Sequence, residues 1–367
     1  MDNLTYVYQS GRLKRSKSQN IYPKDFFYGL DELKKSFSKT TVIEFEEVKK
    51  IKISKFFYRL LRKVSGLPFY TENINSMKNR ITLFKSDLIM LTNQRMGFSC
   101  LPLLFINKIF RKQRSCVFIM GLYNVEVNNV IKRNLRKIFI YFFMLIIDKL
   151  IFLSEGEYTY AVNKYKNLSK KFKFIPFSID TEFWNGENTN KKIGNKILFI
   201  GNDGKRDYSF VINLAREMEE FEFTFVTNKI NEKELLSKNI KLINGIWNDE
   251  TLSDEEIKEL YLEADIVIIP ILESLQPSGQ SVALQAMSLG TVVLITETNG
   301  FWEPEVYKHL ENIIFIRENT IEDWKKEIMN ILSSSDFKNK IENNAFLTVR
   351  ENNNLENFNR ELKLLLL

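Results

Sequence analysis

The sequence holds a single histidine, His309, and two cysteines, Cys100 and Cys116, in 367 residues. Two thiols cannot build a disulfide framework, which fits a reducing compartment. With one imidazole the chain lacks the ligands of an ordinary zinc site, so no metal is expected. Glycine and proline are sparse, at 14 and 7, which excludes a low-complexity or fibrous chain. Long apolar runs are absent as well. The greasiest stretch, IFIYFFMLII, covers 138–147 before Asp148 and Lys149 interrupt it, whereas a spanning helix requires about 20 apolar residues. It reads as a buried or an interfacial helix. MDNLTYVYQS reads as a strand-like run, so no signal peptide is expected. A cytoplasmic protein, peripheral on the inner face of the plasma membrane, is expected.

What the chain does have is a divided charge. Residues 1–180 carry 33 Lys and Arg against 14 Asp and Glu, and residues 181–367 carry 20 against 32. The net +7 is thus the remainder of +19 and −12. A length of 367 suggests two domains, and this split gives them different surroundings. The basic half faces a polyanion, either anionic lipid or nucleic acid. The excess peaks in 51–150, with 18 basic and 4 acidic side chains.

Short apolar runs alternate with helical patterns through both halves. Strands are expected at 4–8, 41–45, 87–92, 115–120 and 149–154, then at 196–201, 221–226, 240–245, 265–270, 291–296 and 312–316. Several are continuously apolar, as parallel strands covered on both faces must be. Helices between them give βαβ units, hence two doubly wound α/β domains. Pro, Gly, Asn and Lys break the periodicity over 176–195. The expected division is 1–180 and 181–345, with a terminal helix at 346–367.

Two basic segments stand out. In IKISKFFYRLLRK (51–63), an advance of about 100° per residue gathers Lys52, Lys55, Arg59, Arg62 and Lys63 on one arc. Phe56, Phe57, Leu60, Leu61 and Val64 take the other side. Such a helix lies on anionic membranes, or packs its apolar face on a sheet. VIKRNLRKIFIYFFMLII (130–147) runs from four basic residues into an apolar stretch and admits the same two readings.

The segment ILESLQPSGQSVALQAMSLGTVVLIT (271–296) carries the most chemistry. Pro270 closes a buried strand, a loop with Pro277 and Gly279 follows, and a helix starts near Ser281. At such a junction free N–H groups and the helix dipole make an anion site. Gly279 has no Cβ to hold phosphate oxygens away. The same residues permit a plain turn, and Ser281 is a good N-cap by itself. In ILFIGNDGKRDYSFVINLARE (197–217) a strand ends at Gly201, and Asn202, Lys205 and Arg206 lie in the loop before a helix. Lys205 and Arg206 are either phosphate-binding cations or two solvated surface charges.

These two segments resemble the donor-binding signature of family 4 glycosyltransferases, in the variant PSG-x-S-V-x-L-Q-A-M. The resemblance implies a GT-B fold: two Rossmann-like domains facing a cleft, the C-terminal helix crossing back to the first domain. It implies donor-diphosphate contacts at Pro277, Ser278, Gly279, Gln280, Ser281 and Val282, with Gly201 and Asn202 nearby. Lys205 and Arg206 take the catalytic place, stabilising the leaving diphosphate without metal. The family's two glutamates, eight positions apart, correspond to Pro277 and Gln285, the latter at the ribose. Gly245, Ile246 and Trp247 fall where the family contacts the nucleotide base, and Trp247 reads equally as a core residue. The family's N-domain histidine has no counterpart, since His309 lies in the second half.

On the acceptor side Asn93, Gln94 and Arg95, and more weakly Gly11 and Arg12, follow strands of the first half. The reading is a retaining, hexosyltransferase-type glycosyltransferase that uses a UDP- or GDP-sugar as co-substrate. Its acceptor is a cell-envelope glycan or a glycolipid, and its basic domain meets an anionic membrane surface. A nucleotide-sugar epimerase or an inactive subunit of the same fold is the alternative, suggested by Pro277, Gln285 and the missing histidine. A nucleic-acid-binding protein is a minor one, since no recognised module is present.

Overall fold

The structure is a computed structural model that describes residues 2–16, 22–45, 53–124, 127–186, 194–235, 237–245 and 251–367. The chain folds into two compact units. One comprises Met1–Ile21, Phe27–Ile175 and Glu361–Leu367; the other comprises Tyr22–Phe26 and Pro176–Arg360.

The first unit is built on six strands: β1 (Asn3–Tyr8), β2 (Lys39–Glu44), β3 (Leu88–Leu91), β4 (Arg114–Ile119), β5 (Lys149–Phe152) and β6 (Phe172–Phe174). They form one parallel sheet in the order β2-β1-β3-β4-β5-β6. Every residue of β3 is buried, as covering on both faces demands. The helices are α1 (Arg12–Ser16), α2 (Leu30–Leu33), α3 (Ile53–Ser65), α4 (Met77–Lys85), α5 (Gln94–Phe110), α6 (Val130–Ile146) and α7 (Glu155–Lys164). Asn93, Asn129 and Ser154 cap α5, α6 and α7, each side chain accepting from a backbone N–H of the first turn.

The helices α3, α6, α5 and α4 adjoin in that order. Their inner faces join a core containing Leu83, Met96, Phe98, Ile140 and Phe143. Their outer faces are unusually greasy: Phe56 on α3 is 73% exposed, Ile131 on α6 73%, and Phe110 on α5 71%. The expected cationic arc of α3 is corrected at one position. Arg62 turns inward, donating to the Phe69 carbonyl at 2.5 Å and to Glu72 at 2.7 Å. Lys52 lies outside the described residues.

In the second unit the strands are β7 (Lys196–Ile200), β8 (Glu222–Val226), β9 (Ile240–Ile243), β10 (Ile266–Ile269), β11 (Val292–Thr296) and β12 (Ile314–Ile316). Again all pairings are parallel, in the order β12-β11-β10-β7-β8-β9. Its helices are α8 (Tyr208–Arg216), α9 (Asp254–Glu263), α10 (Gln280–Ser288), α11 (Ile321–Leu332), α12 (Ser335–Asn352) and α13 (Leu355–Leu366), the last six residues of α13 belonging to the first unit. Ser253 and Glu256 close α9 in a reciprocal capping box. By contrast α10 starts from Gly279 at φ 86°, with no side chain closing its first turn. Ser281, read from sequence as a possible N-cap, lies inside the helix.

Candidate functional site

Numbered within the second unit, the strand order is 3-2-1-4-5-6, and it reverses between β7 and β10. Open sheets of this kind bind ligands beyond the carboxyl ends of the strands at that reversal. The two segments singled out in the sequence leave these two strands. They are tied together by a backbone bridge between Arg206 and Ile271 and by the Leu272 N–H donating to the Lys205 carbonyl at 2.8 Å.

Arg206 occupies the junction. Its side chain is 3% exposed, with Nη1 3.0 Å from Asp203 Oδ2 but off the line of a directed hydrogen bond. A Cβ on Gly201 would stand 2.5 Å from Arg206 Nε. One on Gly279 would come within 2.6 Å of Ile269 Cγ2 and 3.4 Å of Arg206 Nη1. Bare backbone at both positions is therefore what lets the guanidinium lie between the two loops. Asp203 shapes the first loop by accepting from the Lys205 and Arg206 N–H groups at 2.8 and 3.1 Å. Two solvated charges are not what this loop presents: Arg206 is buried. Lys205 is half-buried, and its ammonium has no partner among the described residues.

The second loop completes the cradle. Ser278 is 5% exposed and its Oγ is buried without a partner. Pro277 is half-buried beside it, and Gln280, Ser281 and Val282 form the first turn of α10. Backbone N–H groups of a first turn have no acceptor within the helix and carry its positive dipole end. From the other side Asn202 clips the loops together. Its Oδ1 accepts from Thr227 Oγ1 and the Asn228 N–H, and its Nδ2 donates to the Gly245 carbonyl at 2.6 Å. Gly201, Asn202, Lys205, Arg206, Gly245 and Pro277–Val282 are thus gathered at one sheet end. Ile246 and Trp247 lie outside the described residues.

Gln285 is placed differently. It is 4% exposed, and its Nε2 donates to Asp25 Oδ2 at 3.0 Å while its Oε1 accepts from the Tyr261 hydroxyl at 3.2 Å. Asp25 is a residue that the sequence reading missed. Its buried carboxylate also accepts from the Asp180 N–H at 2.6 Å and Trp184 Nε1 at 2.8 Å. Burial pushes its carboxyl up to about 6, against the pull of those three hydrogen bonds. No local motif marks Asp25, which stands 260 residues from Gln285. Asp203 was open to detection, since a short acid between Gly201 and a helix start favours a side-chain turn.

In the first unit the strand order reverses between β1 and β3. Gly11, at φ 95°, turns the chain after β1 and Arg12 opens α1. Asn93 caps α5, and both ends of the Gln94 amide bind the Met120 backbone, at 2.8 and 3.2 Å. Those two therefore serve the fold. Arg95 stacks at 4.3 Å from the Tyr70 ring centroid and keeps a buried, unpartnered Nε. His309 is exposed in the second unit, its Nδ1 accepting from the Phe315 N–H. Cys100 and Cys116 are buried free thiols, both pushed up to about 12 by burial. Among the described residues no three His, Cys, Asp or Glu side chains gather as metal ligands, and no helix is long and apolar enough to cross a membrane.

Residues 180–348 match the family described as Glycosyl transferases group 1. An uncharacterized glycosyltransferase of Methanocaldococcus jannaschii is 33% identical over 117 residues, which are 32% of this chain and 27% of that relative's length. A glycosyltransferase from Rickettsia africae ESF-5 has a similar structure, with TM-score 0.69 over 99% of this chain and 97% of that one at 14% identity. HepE of Anabaena, solved with UDP and glucose, gives 0.70 over 100% and 99% at 12% identity. At these identities the structures share the fold. The chain therefore has the GT-B fold, and its residues 180–348 are similar to the glycosyl transferases group 1.

Proposed function

We propose that the protein is a retaining, metal-independent glycosyltransferase, moving a sugar from a nucleotide diphosphate to a cell-envelope glycan or glycolipid. One observation carries this reading. A buried guanidinium, the adjacent half-buried Lys205 and the start of α10, which no side chain caps, lie where a doubly wound sheet receives ligands. As the sugar C1–O bond breaks, negative charge gathers on the departing diphosphate. Lys205, Arg206 and the N–H groups of α10 neutralise it, which is the work a divalent cation does elsewhere. The acceptor oxygen bonds to C1 on the face the diphosphate leaves, and its proton passes to a phosphate oxygen. UDP and glucose in the HepE structure favour a uridine donor. Gln285 supports α10 through Asp25, leaving one amide hydrogen for a ribose hydroxyl.

A non-transferase role, as an epimerase or inactive subunit, is favoured only by Pro277 and Gln285 standing where the family has glutamates. Thermal unfolding with UDP- and GDP-sugars, followed by turnover on lipid-linked acceptors, tests both. One nucleotide class should raise the melting temperature by mass action. Lys205→Ala should cut the transfer rate by about 10²-fold or more while leaving unfolding nearly unchanged. If no nucleotide sugar shifts the melt, the donor assignment fails. Protection without transfer favours the non-transferase role.

A further inference from the structure

Two cavities in the first unit have cationic linings with no carboxylate among the described residues. One, of about 380 Å³, is lined by Arg62, Gly66, Tyr70, Gly121, Leu122 and Arg136 among others. The second, of about 310 Å³, includes Tyr123, Arg133, Arg136, Lys137, Tyr160 and Lys164. Each is within the range of small-ligand pockets, and Arg136 lines both.

Arg136 is the unusual group. It is 8% exposed on α6, and its guanidinium donates to the Gly66 carbonyl at 2.8 Å and to the Leu122 carbonyl at 2.9 Å. Neutral carbonyls orient a buried cation without compensating its charge, and such a charge is costly to leave alone. Glu157, which binds the same turn as Arg136, spends its carboxylate on the N–H groups of Gly121, Leu122 and Tyr123, and Arg136 forms no ion pair among the described residues. Two further donors wait beside the cavities, since the Tyr123 hydroxyl and Arg95 Nε are buried without partners. Lys164 lies 4.8 Å from the Tyr160 ring centroid and 5.6 Å from that of Tyr123. The second cavity is therefore a mixed aromatic and cationic wall. Arg133 and Lys137, one turn from Arg136 or less, add exposed charge.

We propose that these cavities form one binding site for the phosphoryl or diphosphoryl group of the acceptor, with Arg136 at its centre. Arg62 is already paired with Glu72, but a phosphate ester brings the dianion that Arg136 lacks and several oxygens for converging donors. The site lies at the C-terminal end of α3 and the N-terminal half of α6, the helices that expose Phe56, Phe57 and Ile131. A headgroup held there can carry an apolar tail along those faces. The proposal deepens the transferase reading and rests on it only for the word acceptor.

The full chain, saturated with UDP so that the Arg206 loops are filled, is titrated calorimetrically with inorganic pyrophosphate and with farnesyl diphosphate. Arg136→Gln should weaken binding at least about tenfold, whereas Arg206→Gln should leave it intact. Because Arg136 also holds two loop carbonyls, Lys137→Gln with Lys164→Gln is the second variant. Both side chains are exposed, so the fold is retained and several-fold weaker binding is expected. Tighter binding of farnesyl diphosphate than of pyrophosphate assigns the group to a lipid carrier. Equal affinities assign it to a soluble phosphorylated glycan. Affinity unchanged in both the Arg136 and the lysine variants overturns the site. Loss only in Arg206→Gln does so too, and failure of UDP to bind strikes the donor assignment and not this one.

Discussion

The residue pair Asp25 and Gln285 shows what single positions can and cannot disclose. The family pattern places a glutamate at 285, but here Asp25 Oδ2 lies 3.0 Å from the Gln285 amide. Two ionised carboxylates at that separation repel strongly, and an amide converts the repulsion into a hydrogen bond. The substitution was visible in the sequence and its reason was not, because Asp25 is brought in from a distant segment. Likewise the motif named Lys205 and Arg206, while only packing against Gly201 and Gly279 separates a buried cation from a half-buried one. Asp25 also leaves a pH signature. Its carboxyl, pushed up from 3.8 to about 6, binds a proton more tightly in the folded chain than in the unfolded one. The stability it contributes is full below about pH 4 and lost as pH rises through about 6. The unfolding free energy of the wild type minus that of Asp25→Asn should therefore fall by on the order of 2–3 kcal/mol between pH 4 and 7. Denaturant titrations across that range measure it; a difference independent of pH would place the charge elsewhere.

Elements were legible where burial is two-sided. β10 and β11, IVII and VVLIT, are buried at every residue, and a continuous apolar run records that directly. β6 was not foreseen, since FKF has three residues, one of them an exposed lysine. In α3 periodicity gave the arcs, but not the Phe69 carbonyl and Glu72 that draw Arg62 inward. The outward group is therefore Phe56, Phe57, Arg59, Leu60 and Lys63, all exposed. Each cation gains about 1 kcal/mol near an anionic bilayer, and the exposed rings and Leu60 need not leave any core to add apolar affinity. The protein should sediment with anionic vesicles and be released only partly by salt, because the apolar share is not screened. Arg59→Glu with Lys63→Glu should remove the salt-sensitive part, and Phe56→Ser with Phe57→Ser the remainder. Vesicle binding that survives both pairs would assign attachment to another face.

At the scale of the whole molecule, each unit is discontinuous in the chain. The charge step between halves signals two regions, but nothing in composition marks Tyr22–Phe26 or Glu361–Leu367 as parts of the opposite unit. The last seven residues are anchored firmly. Leu362 and Leu366 are 0% and 2% exposed, the Leu366 carbonyl accepts from Arg114, and Lys363 pairs with Glu32. Burying two leucines contributes roughly 3–6 kcal/mol, so deleting 361–367 should lower the melting temperature of the first unit markedly. Nucleotide-sugar protection of the second unit should persist, as calorimetry with and without donor can separate. The same anchoring orders events during synthesis. A ribosome adds about 5–20 residues per second. The first sheet therefore emerges on the order of 10–40 s before the helix end that finishes it, and the contacts of the Leu366 carbonyl with Arg114 and of Lys363 with Glu32 can form only after that interval.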